Sequence, residues 1–138
     1  MNEEYLNYEE SKELEKLGFD AFTTDVWLSP SNHKVQHGMM NYPKAIFRDV
    51  VSAPLYQQAF RWFREKYNRL HTVNIDLSNN LKDKVFVYTI EDHLRSIIDR
   101  SEEYTTYEEA ELACLIKLIE FVKLSNHDKR NNKKVYDN

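Results

Sequence analysis

The spacing of apolar side chains predicts one long amphipathic helix between Thr106 and Leu124. Thr106 and Glu109 form a capping box, in which the hydroxyl accepts from a first-turn amide and the carboxylate reaches back to the cap. Such a helix must be covered by a sheet or another helix, because one stripe of it is apolar. At about 100° per residue, that stripe holds Tyr107, Ala110, Cys114, Leu115, Leu118, Phe121 and Val122.

A second amphipathic helix is predicted over residues 53–68. Ser52 is its expected cap, and Pro54 stands in the first turn, where a missing amide costs nothing. One face is apolar and the other polar, which predicts one buried and one solvated side. A third, short helix is predicted over residues 9–17, with Gly18 as a left-handed stop. The apolar face of the second helix comprises Leu55, Tyr56, Ala59, Phe60, Phe63 and Tyr67.

Runs of β-branched and aromatic residues predict two antiparallel hairpins. The first pairs a strand within 19–28 with one within 34–39, and the second pairs 72–77 with 84–90 around the turn Ser78-Asn79-Asn80. Residues 41–49 show no clear period and fit a loop or an edge strand.

The segment 91–104 is ambiguous, because Leu94, Ile97 and Ile98 also fit a short helix. We favour a third strand over 96–102, since such a strand leads directly into the Thr106 cap. Periodicity is lost after Leu124. The pattern therefore predicts one α+β domain over residues 1–125, an antiparallel sheet of four to five strands covered by the helices 53–68 and 106–124, and a basic, mobile tail over 126–138.

Composition supports a folded, cytosolic protein. The 138 residues suit one core, and 41% hydrophobic with 13% aromatic residues exceeds what a disordered chain carries. The apolar runs are far shorter than the roughly 20 residues that cross a bilayer, and the acidic N-terminus lacks the features of a signal peptide. The single cysteine, Cys114, cannot form an internal disulfide and lies on the apolar stripe, which predicts a core residue rather than a nucleophile.

Candidate catalytic groups are few. His33 and His37 are four residues apart, but Pro30 and Gly38 disfavour a helix there, so solvated loop histidines are expected instead of a metal site. Two glycines cannot build a glycine-rich phosphate loop. Glu111 lies on the apolar stripe, and an edge glutamate paired with Arg or Lys is favoured over a catalytic one. We therefore expect neither an enzyme nor a cofactor.

Basic residues form the remaining candidate site, although the net charge is −4. The second helix presents several of them beside Trp62, a combination that could bind phosphates and stack bases or pair with an acidic partner. The competing interpretation is a solvated face with Arg61 and Glu65 as an i,i+4 pair. The predicted binding residues are Arg61, Arg64, Lys66 and Arg69 on or beside that helix, and Lys129, Arg130, Lys133 and Lys134 in the tail.

The sequences of both long helices resemble segments of other proteins. The segments SAPLYQQAFRWFREKYN and TYEEAELACLIKLIEFVK, together with EKLGFD, resemble a group of small uncharacterised proteins encoded by phages and prophages. The likeness extends over residues 9 to 124. It implies a phage gene product in a bacterial cytoplasm, and it implies no reaction and no catalytic residues.

Two functions follow as hypotheses. The first is a non-enzymatic interaction protein that binds a host protein or ribonucleoprotein, for example to inhibit a defence system such as a CRISPR effector. Its basis is the lack of a catalytic motif, the interface-prone tyrosines and arginines, and the resemblance. The second is an accessory protein that binds RNA or single-stranded nucleic acid through the basic residues.

Overall fold

The computed structural model describes residues 5–20, 25–27, 35–37, 51–76 and 84–136. Helices and antiparallel strands confirm the predicted α+β class. The chain divides into two compact units, residues 1–62 and 63–138. In chain order the elements are α1 (Tyr8–Lys16), β1 (Asp25–Trp27), β2 (Val35–His37), β3 (Val51–Ser52), α2 (Tyr56–Tyr67), β4 (Leu70–Asp76), β5 (Val85–Glu91), β6 (Ile97–Arg100) and α3 (Tyr107–Tyr136).

Two three-stranded antiparallel sheets hold these strands, in the orders β2-β1-β3 and β4-β5-β6. Both predicted hairpin pairings are present, β1 with β2 and β4 with β5. Alternation along a sequence marks a strand but does not say which sheet it joins, so the division into two sheets was not predictable. The segment 41–49 and the turn 78–80 lie outside the described residues.

In the unit of residues 1–62, α1 packs against β3. Asn7 caps α1 by accepting the Glu10 N–H at 3.0 Å, and Gly18 takes the left-handed φ of 91° that was predicted to end the helix. Burial along one side of α1 explains its position: Tyr8 and Leu14 are buried, and Tyr8 packs with Val51 and Ala53.

Helix α2 starts later than predicted. Ser52 lies in β3, opposite Val26, and therefore does not cap the helix. Instead the Leu55 N–H donates to Gln58 Oε1 at 2.9 Å, a glutamine reaching back to the helix start as in a capping box. At the other end, Asn68 has a φ of 54°, which turns the chain towards β4.

The unit of residues 63–138 is a sheet with α3 packed on β5 and β4. Register places Ile75, Val73 and His71 opposite Phe86, Tyr88 and Ile90. Thr106 caps α3 as predicted, accepting the Glu109 N–H at 3.1 Å. The buried side chains of β5 and α3 are Val87, Tyr88, Ile90, Ala110, Cys114, Leu115, Leu118, Ile119 and Val122.

Helix α3 does not end at Leu124 but continues to Tyr136. The predicted helix end was wrong because loss of apolar spacing marks the end of burial and not the end of the helix. Residues 125–136 contain neither Gly nor Pro, the two strongest signals for the end of a helix. Val122 is the last buried residue of α3 among those whose side chains are described, up to Arg130.

Candidate interaction surface

The predicted basic residues of α2 lie from the middle of the helix to just beyond its end. Arg64 and Lys66 are exposed in the last turn of the helix, and Arg69 is half-buried just beyond the left-handed Asn68. Arg61, also exposed, belongs to the other compact unit. Arg61 and Lys66 each already interact with other groups of the chain.

Trp62 cannot stack on a nucleic-acid base in this structure. Its side chain is buried, at 6% exposure, and its indole N–H donates to Asp20 Oδ1 at 3.1 Å. Phe19 packs edge-on against the indole, with ring centroids 5.5 Å apart. The predicted combination of arginines with an accessible tryptophan is therefore wrong, since Trp62 serves the core.

The predicted tail residues all lie in α3. Lys129 and Arg130 are exposed, and positions 133 and 134 follow them by one helical turn. A single helix thus carries all four predicted basic residues of the tail.

Glu111 and Cys114 lie on α3 among acidic and phenolic groups. Burial raises the pKa of Glu111, and a hydrogen bond with the Tyr107 hydroxyl opposes that rise. The interaction found for Glu111 is therefore with a tyrosine, where a cation was expected. Burial, followed by the charges of Asp99 and Glu111, raises the pKa of the Cys114 thiol. Such surroundings disfavour a thiolate, and the predicted core role of Cys114 is confirmed.

His71 was not singled out from the sequence. Burial in β4, with a smaller contribution from the Arg64 charge, lowers its pKa from 6.5 to about 4. Its interactions lie within the chain. The histidine is therefore a neutral structural group at physiological pH.

Three exposed apolar side chains lie at the hairpin that joins β5 to β6. We call its three residues the hairpin patch: Leu94, Ile97 and Ile98, exposed by 73%, 59% and 39%. Large apolar side chains that are exposed near one another mark binding surfaces, whereas isolated ones are ordinary. These three lie within five consecutive residues, 94–98. The spacing of the three residues in the sequence indicates only a possible helix face and does not predict that they are exposed.

A rigid turn supports the hairpin patch. Asp92 Oδ1 accepts both the Leu94 N–H at 2.9 Å and the Ser96 N–H at 3.0 Å. The Asp92 backbone closes the loop, since its N–H donates to the Ser96 carbonyl and its carbonyl accepts from Arg95. Arg95 takes a left-handed φ of 65° in this turn. The turn is thus held by four hydrogen bonds to one residue, which fixes the direction of Leu94.

The acidic and basic side chains around the hairpin patch differ in their exposure and in the partners that they have within the chain. Asp92 is occupied by the turn, and Asp99 accepts the Tyr88 hydroxyl at 2.9 Å. Glu91, largely covered, lies 3.9 Å from Arg95, which is 79% exposed. Arg100 is exposed at the end of β6. The hairpin therefore presents an apolar centre with arginines at its rim, the composition that interface cores and their edges favour.

Other kinds of site find little support in the part of the chain that is described. None of its helices is long and apolar enough to span a bilayer. It contains no group of three or more His, Cys, Asp or Glu side chains that could hold a metal ion. His37 lies in strand β2, so the helical spacing considered for it does not apply, and His33 is outside the described residues. No family model, curated protein or solved structure matches this chain.

Proposed function

We propose that the chain is a non-enzymatic interaction protein that binds a host protein through the hairpin patch. The observation that supports this most is the combination of three exposed apolar side chains with a turn that is already ordered. Ordering a loop on binding costs free energy, and a turn fixed beforehand avoids that cost. The resemblance to phage and prophage proteins suggests the setting, in which an effector of a host defence system is a suitable target.

The rim charges define the partner. Arg100 and Arg95 are exposed, Arg95 by 79% although it lies 3.9 Å from Glu91, whereas Asp92 and Asp99 accept hydrogen bonds within the hairpin. A complementary surface would offer an apolar pocket for Leu94 bordered by Asp or Glu side chains. Such a surface differs from that of a second copy, which would bring arginine against arginine.

A photocrosslinker tests the surface directly. Leu94→p-benzoylphenylalanine, in tagged protein incubated with nuclease-treated lysate of a bacterial host, should give one crosslinked protein on irradiation. Leu124→p-benzoylphenylalanine is the matched control, because Leu124 is also exposed, by 62%, but lies on α3. The proposal predicts a product from position 94 and none of the same mass from position 124.

Other outcomes count against it. Equal products from both positions would mean non-specific apolar contact. A product with twice the mass of the chain would mean self-association through the patch. The absence of any product at position 94, with a folded protein by circular dichroism, would refute the proposed surface.

A further inference from the structure

The C-terminal part of α3 extends beyond the buried core as a basic helix. From Lys123 to Arg130 every side chain is exposed or half-buried, whereas the preceding Val122 is buried. The helix continues to Tyr136. Burial therefore does not explain residues 123–130, and their sequence must be suited to water or to a partner.

Its basic residues lie on one side. At about 100° per residue, positions 129, 133, 130 and 134 follow one another across a sector of about 140°. Asp128, the single acidic residue between 123 and 136, falls outside that sector. The net charge of the chain is −4, so this concentration of Lys and Arg runs against the overall composition.

We propose that this helix binds double-stranded DNA, with Lys129, Arg130, Lys133 and Lys134 contacting phosphates. This site is separate from the hairpin patch and does not depend on the proposed function. A sector of about 140° is wide for a single row of phosphates. It suits a helix lying in the major groove of B-DNA, which admits an α-helix and has a phosphate strand on each side.

Two alternatives fit less well. Single-stranded nucleic acid is usually held by several aromatic side chains on which successive bases stack, and Tyr136 is the single Phe, Tyr or Trp in the sequence of residues 123–136. A protein partner normally requires apolar anchors at the centre of its interface. The described part of the basic side offers only exposed Lys129 and Arg130, while affinity for DNA is dominated by charge and needs no such anchor.

Fluorescence anisotropy with a labelled, mixed-sequence DNA duplex tests the proposal. Four phosphate contacts predict that log K falls against log salt with a slope of about −3.6, which is roughly a hundredfold weakening between 50 and 200 mM salt. The double variant Lys129→Gln, Arg130→Gln should halve that slope. Glutamine retains good helix propensity, so α3 should persist, and circular dichroism checks this.

The matched control removes the same charge elsewhere. Lys12 and Lys16 are exposed in α1, so Lys12→Gln with Lys16→Gln also removes two positive charges. The proposal predicts wild-type binding, within about twofold, for this variant, because the two charges lie outside α3. If it weakens binding as much as the α3 variant does, the effect is one of net charge and the proposal fails.

Competition decides between classes of partner. Unlabelled duplex should displace the probe, and oligo(dT) of equal length or poly-glutamate should do so at least tenfold less well. Stronger competition by oligo(dT) would assign the helix to single strands, and stronger competition by poly-glutamate would assign it to an acidic protein. Either result, or no binding of the wild type at 50 mM salt, overturns the proposal. None of these outcomes alters the crosslinking expected at Leu94.

Discussion

His71 makes the stability of this protein depend on pH in a defined direction. Its pKa falls from 6.5 to about 4 on folding, chiefly because the imidazole is half-buried in β4 and partly desolvated there, and to a lesser extent because of the charge of Arg64. Between these two pH values the unfolded chain binds a proton that the native chain does not. Protonation therefore favours unfolding, so this contribution to stability is complete above pH 6.5 and is lost as pH falls towards 4.

The size of the effect follows from the two pKa values. At pH 4.5 the linkage relation gives a loss of about 2 to 3 kcal/mol relative to pH 7.5. Because the free energy of unfolding of a small domain is only about 5 to 15 kcal/mol, such a loss is a large part of the total. The burial of Glu10 and Glu111 raises the pKa of each carboxyl, so their contributions change in the opposite direction.

Urea unfolding of the wild type and of His71→Gln at both pH values isolates the histidine. The carboxyl contributions are present in both proteins and cancel in the comparison. We expect His71→Gln to lose about 2 kcal/mol less than the wild type on acidification. His93→Gln is the control for the loss of an imidazole as such, because His93 is exposed in the β5–β6 turn. Equal pH dependence of wild type and His71→Gln would refute the reasoning.

Three further predictions concern local structure. Thr106→Ala should lower the free energy of unfolding by about 0.5 to 2 kcal/mol in urea, because the Glu109 N–H loses its cap. Thr106→Ser, which keeps a capping hydroxyl, is the control, and an equal loss in both variants would contradict the capping role. Gly18→Ala should cost about 1 to 2 kcal/mol by the same measurement, since alanine disfavours a φ of 91°; no loss would mean that the α1 stop is not left-handed in solution. Cys114 should react with a thiol reagent only after denaturation, because its thiol is buried; a fast native reaction would place it at the surface.

Local rules predicted much of this fold. Thr106, Gly18 and the hairpin of β4 and β5 were predicted because a cap, a left-handed stop and alternation each depend on a few neighbouring residues. The two errors in helix bounds have the same origin. At Ser52, pairing with β1 outweighed its propensity as a cap. Beyond Leu124 the helix persists, and no residue from 125 to 130 is buried, so apolar periodicity cannot detect it there.

The candidate surface was much less predictable. Trp62 appeared accessible at the margin of a helix, but Asp20 and Phe19, more than forty residues earlier, hold it in the core. Leucine is a residue type that is usually buried, and only the turn held by Asp92 places Leu94 at the surface. Exposure results from contacts distant in sequence, and no local pattern encodes it.

The hairpin patch is the central claim, and a binding titration tests it most directly. Once the protein crosslinked at Leu94 has been purified, its affinity should be measured by calorimetry for wild type, Ile98→Asp and Ile116→Asp. Ile98 and Ile116 are both 39% exposed, one in the patch and one on α3, so the two variants make the same chemical change at equal exposure. We expect Ile98→Asp to weaken binding at least tenfold, or about 1.4 kcal/mol, and Ile116→Asp to leave it within about twofold. Equal affinities for the two variants would contradict the account.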